Sequence, residues 1–293
     1  MGFVKTNLPI LSTITRKNRF LRETAARELR ETIAIFAAIR YTDPRIEGIC
    51  EECEGLPMQH LKPMLDAYDR LLVFDTETTG LQFETDQIIQ FSSVTVERVD
   101  GEAAVTGKYN ALIQLEPGQR VPPEIEKLTG ITTEDLQERG ISREEACREI
   151  AGLVAGNTLL VAYNAHFDLS FLFHMLAAHG DPMCLKGKDK LDLLTVYRDR
   201  RSYPHKLVSA IEAYGLSDQV RNSHQADEDA LATVCVMDAM AAERDDLAKY
   251  INLFGYIPKY GPPARRIRSV TYLPQPYDPA APLYETQRRQ IQC

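Results

Sequence analysis

The feature that most constrains this chain is a four-residue apolar run, Leu71-Leu72-Val73-Phe74, which stops abruptly at Asp75-Thr76-Glu77. An unbroken apolar run of that length suits a strand covered on both faces, in the middle of a sheet. Side chains alternate along a strand, so Asp75 and Glu77 share one face at its exit. Two acids there read either as a solvated strand end or as a place for a cation. Thr78-Thr79-Gly80 follows, adding hydroxyls and a glycine that tolerates close backbone approach.

Downstream, residues 88–99 are β-branched and partly alternating, and Asp100-Gly101 is a hairpin signal leading to a third strand near 108–115. Helices are expected around 122–128, from prolines at the start, and 142–155, from the Ser142-x-x-Glu145 capping pattern. Residues 158–163 read as a fourth strand feeding a helix near 168–178. Residues 191–194 read as a fifth strand or its exit, and helices are expected near 205–214 and 226–244. Three strands in succession, then strands alternating with helices, predict an α/β domain with a mixed sheet and helices packed on it.

The flanks differ from this middle. Residues 1–69 read as a helical N-terminal extension, with Ala25, Leu29, Ile33 and Phe36 at helical spacing among basic residues. Residues 70–247 form the expected central domain. Residues 248–293, rich in Pro and Tyr, read as an extended tail in which Lys259, Arg265, Arg266 and Arg268 lie among Tyr256, Tyr260 and Tyr272. Such mixing suits stacking with a single strand or an extended segment lying along the domain. Six cysteines are too few and too dispersed for a disulfide framework. Cys50-x-x-Cys53 with His60 falls short of a closed zinc site, because no second close pair follows. No apolar run is long enough for a secretory signal or membrane span, so a soluble cytoplasmic protein is expected. The net charge of -8 argues against a general polyanion-binding surface but leaves room for acids that hold metal ions.

Two further segments carry candidate acids. Asp168 follows the fourth strand in Asn164-Ala165-His166-Phe167-Asp168, where it reads as a first-turn helix acid or as a ligand at the sheet edge. His224 to Asp229 places a histidine and three acids at a helix start. Helical rotation of about 100° per residue sets Asp227 and Asp229 on nearly opposite sides. Ala230, Leu231, Val234 and Met237 put the side of Asp229 near the core, where a metal would be a good partner. Asp227 and Glu228 read as solvated helix-start acids. A histidine titrates near neutrality, so His224 is a candidate general base.

Taken in order, Asp75-Thr76-Glu77-Thr78-Thr79-Gly80, the Asn164-to-Asp168 segment and a histidine five residues before the last acid resemble the DEDD exonuclease superfamily, in its histidine-containing branch. That branch includes the proofreading epsilon subunit of bacterial DNA polymerase III. The resemblance runs from about residue 69 to about 245 and extends to PPEIEKLTGIT, LDLLTVYR and PHKLVSAIEAYGL. It implies a ribonuclease H-like fold, a five-stranded mixed sheet flanked by helices, and two Mg²⁺ or Mn²⁺ ions held by Asp75, Glu77, Asp168 and Asp229. His224 would be the base. Thr76, Thr78 and Leu81 match positions lining a terminal-nucleotide pocket, and Asn164 and Phe167 would support the second motif.

The activity so implied is 3′-to-5′ exonucleolytic hydrolysis, with the 3′ end of single-stranded DNA as the favoured substrate. Two alternatives stand beside it: a polymerase- or repair-complex subunit acting mainly by docking, and an RNA-directed exoribonuclease.

Overall fold

The computed structural model describes residues 57–262, 265–278 and 280–286. The expected N-terminal helix and the Cys50–Cys53 pair lie outside these residues. Five strands form one sheet in the order β3-β2-β1-β4-β5, with β1 (Arg70–Thr78) in the centre. β2 (Ile88–Val99) and β3 (Glu102–Leu112) extend it antiparallel on one side, β4 (Thr158–Ala162) and β5 (Lys190–Asp192) parallel on the other. The mixed five-stranded sheet expected from the sequence is present.

The apolar run of β1 is covered on both faces. Leu71 and Val73 face one core, which Ala230, Val234 and Met237 of α7 (Ala226–Glu243) enter. Leu72 and Phe74 face the other, filled by Ile150 of α3 (Arg143–Leu153) and by Leu169, Leu172 and Leu176 of α4 (Ala165–His179). All four β1 side chains are almost fully buried, each contributing about 2 kcal/mol of transfer free energy.

Pairing of β1 with β4 ends at Val73↔Val161, whereas pairing with β2 continues to Thr78. Residues 74–78 therefore run past the end of β4, and β1 has an open flank where its acids emerge. At this point the chain has neighbours leading away on both sides, which is where open α/β sheets place ligands.

Local chemistry explains several departures from the sequence reading. Asp100 and Gly101 both have positive φ, 50° and 87°, so a two-residue turn restarts pairing at Glu102 rather than near 108. Between α1 (Pro123–Thr129) and α3 lies a helix absent from the sequence reading, α2 (Thr133–Arg139), closed by a capping box of Thr132 and Asp135. A second such helix, α5 (Leu193–Arg200), begins directly where β5 ends; α6 (Leu207–Ala213) follows it. The apolar Leu191 to Leu194 run thus divides between a strand end and a helix start.

The packed body continues beyond both expected boundaries. Upstream, Met58, Leu61, Met64 and Leu65 enter the β1–α7 core. Downstream, β6 (Leu253–Tyr256) and β7 (Thr271–Pro274) pair in parallel. Tyr250, Leu253, Leu273 and Leu283 join the β1–α7 core, while Phe254 joins the other. This Pro-rich segment, read from the sequence as an extended tail, has apolar side chains buried at intervals along its path. Among the described residues no helix is long and apolar enough to cross a membrane.

Candidate active site

Asp75 and Glu77 leave β1 on the same face as Leu71 and Val73, the face toward α7. One carboxylate oxygen each from Asp75, Glu77 and Asp229 lies within 4.8 Å of the other two. Asp229 sits in the first turn of α7 and is 5% exposed, which brings an acid to the end of β1 from a helix rather than a strand. Its carboxylate accepts from Asn222 Nδ2 at 2.5 Å and from the Ser223 amide at 3.1 Å. Asp227 is not a member of this group, in keeping with the helical geometry.

The start of α7 is docked on β2 by Gln90, the cross-strand partner of Glu77. Gln90 Oε1 accepts from the Ala226 amide at 3.1 Å, and Gln90 Nε2 donates to Asn110 Oδ1 at 3.0 Å. Ser92, opposite Asp75, donates to the same Asn110 oxygen at 2.6 Å. These polar residues beneath the acids were not singled out in the sequence, where they appear only as interruptions of an apolar strand. Cross-strand register reveals them.

Asp168 reaches the same strand end from α4 and is 2% exposed. The Thr76 hydroxyl, on the opposite face of β1 from Asp75, donates to Asp168 Oδ1 at 2.7 Å. Thr76, expected to line a substrate pocket, therefore holds an acid in place. The Thr78 hydroxyl is likewise committed, donating to Gly80 O at 2.6 Å. A Cβ at Gly80 would lie 2.4 Å from Asp86 Oδ2, the oxygen that accepts from the Gln82 amide, so the Asp86 side chain would have to shift. Leu81 is 78% exposed beyond it.

Asn164 precedes α4 in a left-handed conformation (φ 73°, ψ 46°) without a side-chain cap, a conformation Asn adopts more readily than most residues. The amides of Asn164 and Ala165 instead donate to Asp192 Oδ1 at 3.0 and 3.1 Å. Phe167 is half-buried and tilts against Phe171 at 4.9 Å between ring centres. His224 is exposed, in the loop before α7, with φ 58°.

Electrostatics ties the four acids together. Burial pushes the Asp75 carboxyl well above the usual range, and Asp168, Glu77 and Asp229 raise it further. Glu77 is pushed up to about 8 by burial, then by Asp229 and Asp168. Asp168 is pushed up to about 7, chiefly by burial, against the pull of the Thr76 hydroxyl. Asp229 is raised by burial, while its bonds to Asn222 and Ser223 and the nearby His224 pull it down. Among the described residues none of the four acids takes part in an ion pair. Hard oxygen donors crowded together with no cationic side chain paired to them among the described residues fit divalent-metal ligation.

Residues 72–237 match the family model RNase_T, described as exonuclease. The chain is 29% identical over 174 residues to DNA polymerase III subunit epsilon of Treponema pallidum (strain Nichols), covering 58% of this chain and 75% of that protein. It is 33% identical over 167 residues to the 3′-5′ exonuclease DinG of Staphylococcus saprophyticus, covering 56% of this chain but 17% of that protein. Among solved structures, E. coli Exonuclease I in complex with a dA16 oligonucleotide shares the fold with a TM-score of 0.55 at 20% identity, covering 62% of this chain and 42% of that one. The chain thus spans less than half the length of the latter two proteins.

Proposed function

The chain belongs to the RNase T exonuclease family, and from that premise we propose that it removes nucleotides one at a time from the 3′ end of DNA, releasing nucleoside 5′-monophosphates. The observation that carries this reading is the convergence of Asp75, Glu77 and Asp229 within ligand distance of one another, with Asp168 buried against Thr76 beside them. The names of the two curated relatives, an epsilon subunit and a 3′-5′ exonuclease, support the direction and the substrate.

In this proposal the four acids hold two Mg²⁺ or Mn²⁺ ions. Such ions, when bound, neutralise charge at the attacked phosphate and acidify water. The protein's own residues divide the remaining work. His224, exposed at the rim, takes a proton from the attacking water. Gln90 fixes the start of α7 and hence Asp229, while Thr76 fixes Asp168. Leu81 and Phe167 offer apolar surface to the terminal nucleotide.

The test compares strands labelled at the 5′ or the 3′ end, in DNA and RNA form, with Mg²⁺, Mn²⁺ or EDTA. The expected result is metal-dependent shortening of 5′-labelled DNA in single-nucleotide steps, and His224→Ala is expected to slow it about a hundredfold. Endonucleolytic fragments, or equal rates in EDTA, would contradict the reading. Preference for the RNA strand would move the substrate to RNA. An inert chain that co-purifies with a polymerase would replace catalysis with docking.

A further inference from the structure

The mixed basic and aromatic stretch of the C-terminal segment splits into two kinds of residue in the fold. Tyr272 is turned inward: its ring meets His166 and Phe254, and its hydroxyl accepts from the Ile267 amide at 3.0 Å. Arg265, Arg266 and Arg268 are turned outward and exposed. Arg98, Arg139, Arg200 and Arg201 are each paired with a carboxylate, but none of these three is in an ion pair among the described residues. Arg120, Arg148, Arg198 and Arg221 likewise have no ion pair among the described residues, but Arg265, Arg266 and Arg268 gather three such guanidinium groups within four residues, a local reversal of the field on a chain of net charge -8.

Their location gives that reversal a direction. His166 Nε2 lies 2.9 Å from the Arg265 carbonyl oxygen, pinning this segment to the first turn of α4, two residues before Asp168. The Arg265 guanidinium stands over the Phe83 ring at 5.8 Å. Phe83 meets Phe171 edge-on at 6.5 Å, and Phe171 meets Phe167, the neighbour of Asp168, at 4.9 Å. A continuous run of rings therefore links Arg265 to the acid-bearing turn. Guanidinium groups supply sequence-independent attraction to phosphates, and rings supply stacking surface for any base.

We propose that Arg265, Arg266 and Arg268, with Phe83 and Phe167, form the track on which a single strand of DNA lies as it leads away from the four-acid site. The proposal rests on the nuclease reading above. It assigns His166 the role of a positioning residue that holds the track against α4.

The test is steady-state hydrolysis by the triple variant Arg265→Ala/Arg266→Ala/Arg268→Ala, with two substrates. For a long oligothymidine, KM is expected to rise about tenfold with kcat little changed, and the slope of log KM against log salt is expected to fall by about 2, from about 0.7 per lost phosphate contact. The p-nitrophenyl ester of thymidine 5′-monophosphate, too short to reach the track, should be hydrolysed at the wild-type rate. An unchanged KM and salt slope on the long strand overturn the proposal. Equal losses on both substrates also overturn it, because they would make the arginines supports of the catalytic site. A wild-type chain that hydrolyses neither substrate refutes the nuclease reading instead, and the track falls with it.

Discussion

Asp75→Asn is expected to lower turnover by about a thousandfold, roughly 4 kcal/mol in the barrier, while raising the thermal midpoint of the metal-free protein. Both effects follow from one crowding of charge. Asp75 is raised by burial and by all three of the other acids, so its ionised form is disfavoured in the fold until a cation is bound. A carboxyl whose folded pKa exceeds its unfolded value holds a proton that the unfolded chain releases. Metal-free stability from these groups is therefore full below the ordinary values of 3.8 for Asp and 4.5 for Glu. It declines as pH rises through about 7 for Asp168 and about 8 for Glu77. In EDTA at pH 8 the asparagine variant should melt above the wild type. Adding Mn²⁺ should raise the wild-type midpoint much more than that of the variant. A variant that melts lower in EDTA, or keeps its turnover, would show that Asp75 is a structural acid.

Asp192→Ala is expected to cost about 4 kcal/mol of stability, because it leaves several buried donors without an acceptor. Asp192 is 5% exposed. Its Oδ1 accepts from the amides of Asn164, Ala165 and Leu194 at 3.0, 3.1 and 3.2 Å, and its Oδ2 from the Thr195 hydroxyl at 2.6 Å. Burial raises this carboxyl and those bonds pull it back. One side chain thus ties the end of β5 to the first turns of α4 and α5. Losing it loosens the turn that carries Asp168, so turnover should fall with stability. Urea unfolding measures the cost as a lowered midpoint at unchanged slope. A loss below about 1 kcal/mol would mean that water replaces the carboxylate at little cost.

The sheet was legible because its central strand announces itself. Leu71 to Phe74 needs cover on both faces and receives it, and the Asp-Gly turn restarts pairing within two residues. Part of the carboxylate grouping was legible for a related reason: periodicity puts Asp75 with Glu77 and separates Asp229 from Asp227, whereas Asp168 joined them only through the family resemblance. Less legible was whatever depends on contacts across strands or between distant segments. Gln90 and Asn110 look like ordinary strand polars until register sets them under the start of α7. Thr76 reads as an open hydroxyl until α4 delivers Asp168 to it. Asp192 looks like a strand-end acid, since nothing local indicates that it accepts from two helix starts. Nothing local in the sequence points to a role for His166, because its partner, the Arg265 carbonyl, lies 99 residues away. In the C-terminal segment composition suggested an extended tail, but it left open which apolar side chains are buried, since that depends on contacts with distant residues.

The most direct measurement of the central claim is anomalous diffraction from crystals soaked with Mn²⁺ and a nucleoside 5′-monophosphate. Manganese peaks between the carboxylates of Asp75, Glu77 and Asp229, with the nucleotide phosphate beside them and its base toward Leu81 and Phe167, are the predicted result. Peaks only at other acids, with the Asp75–Glu77–Asp229 group empty at saturating metal, would contradict it.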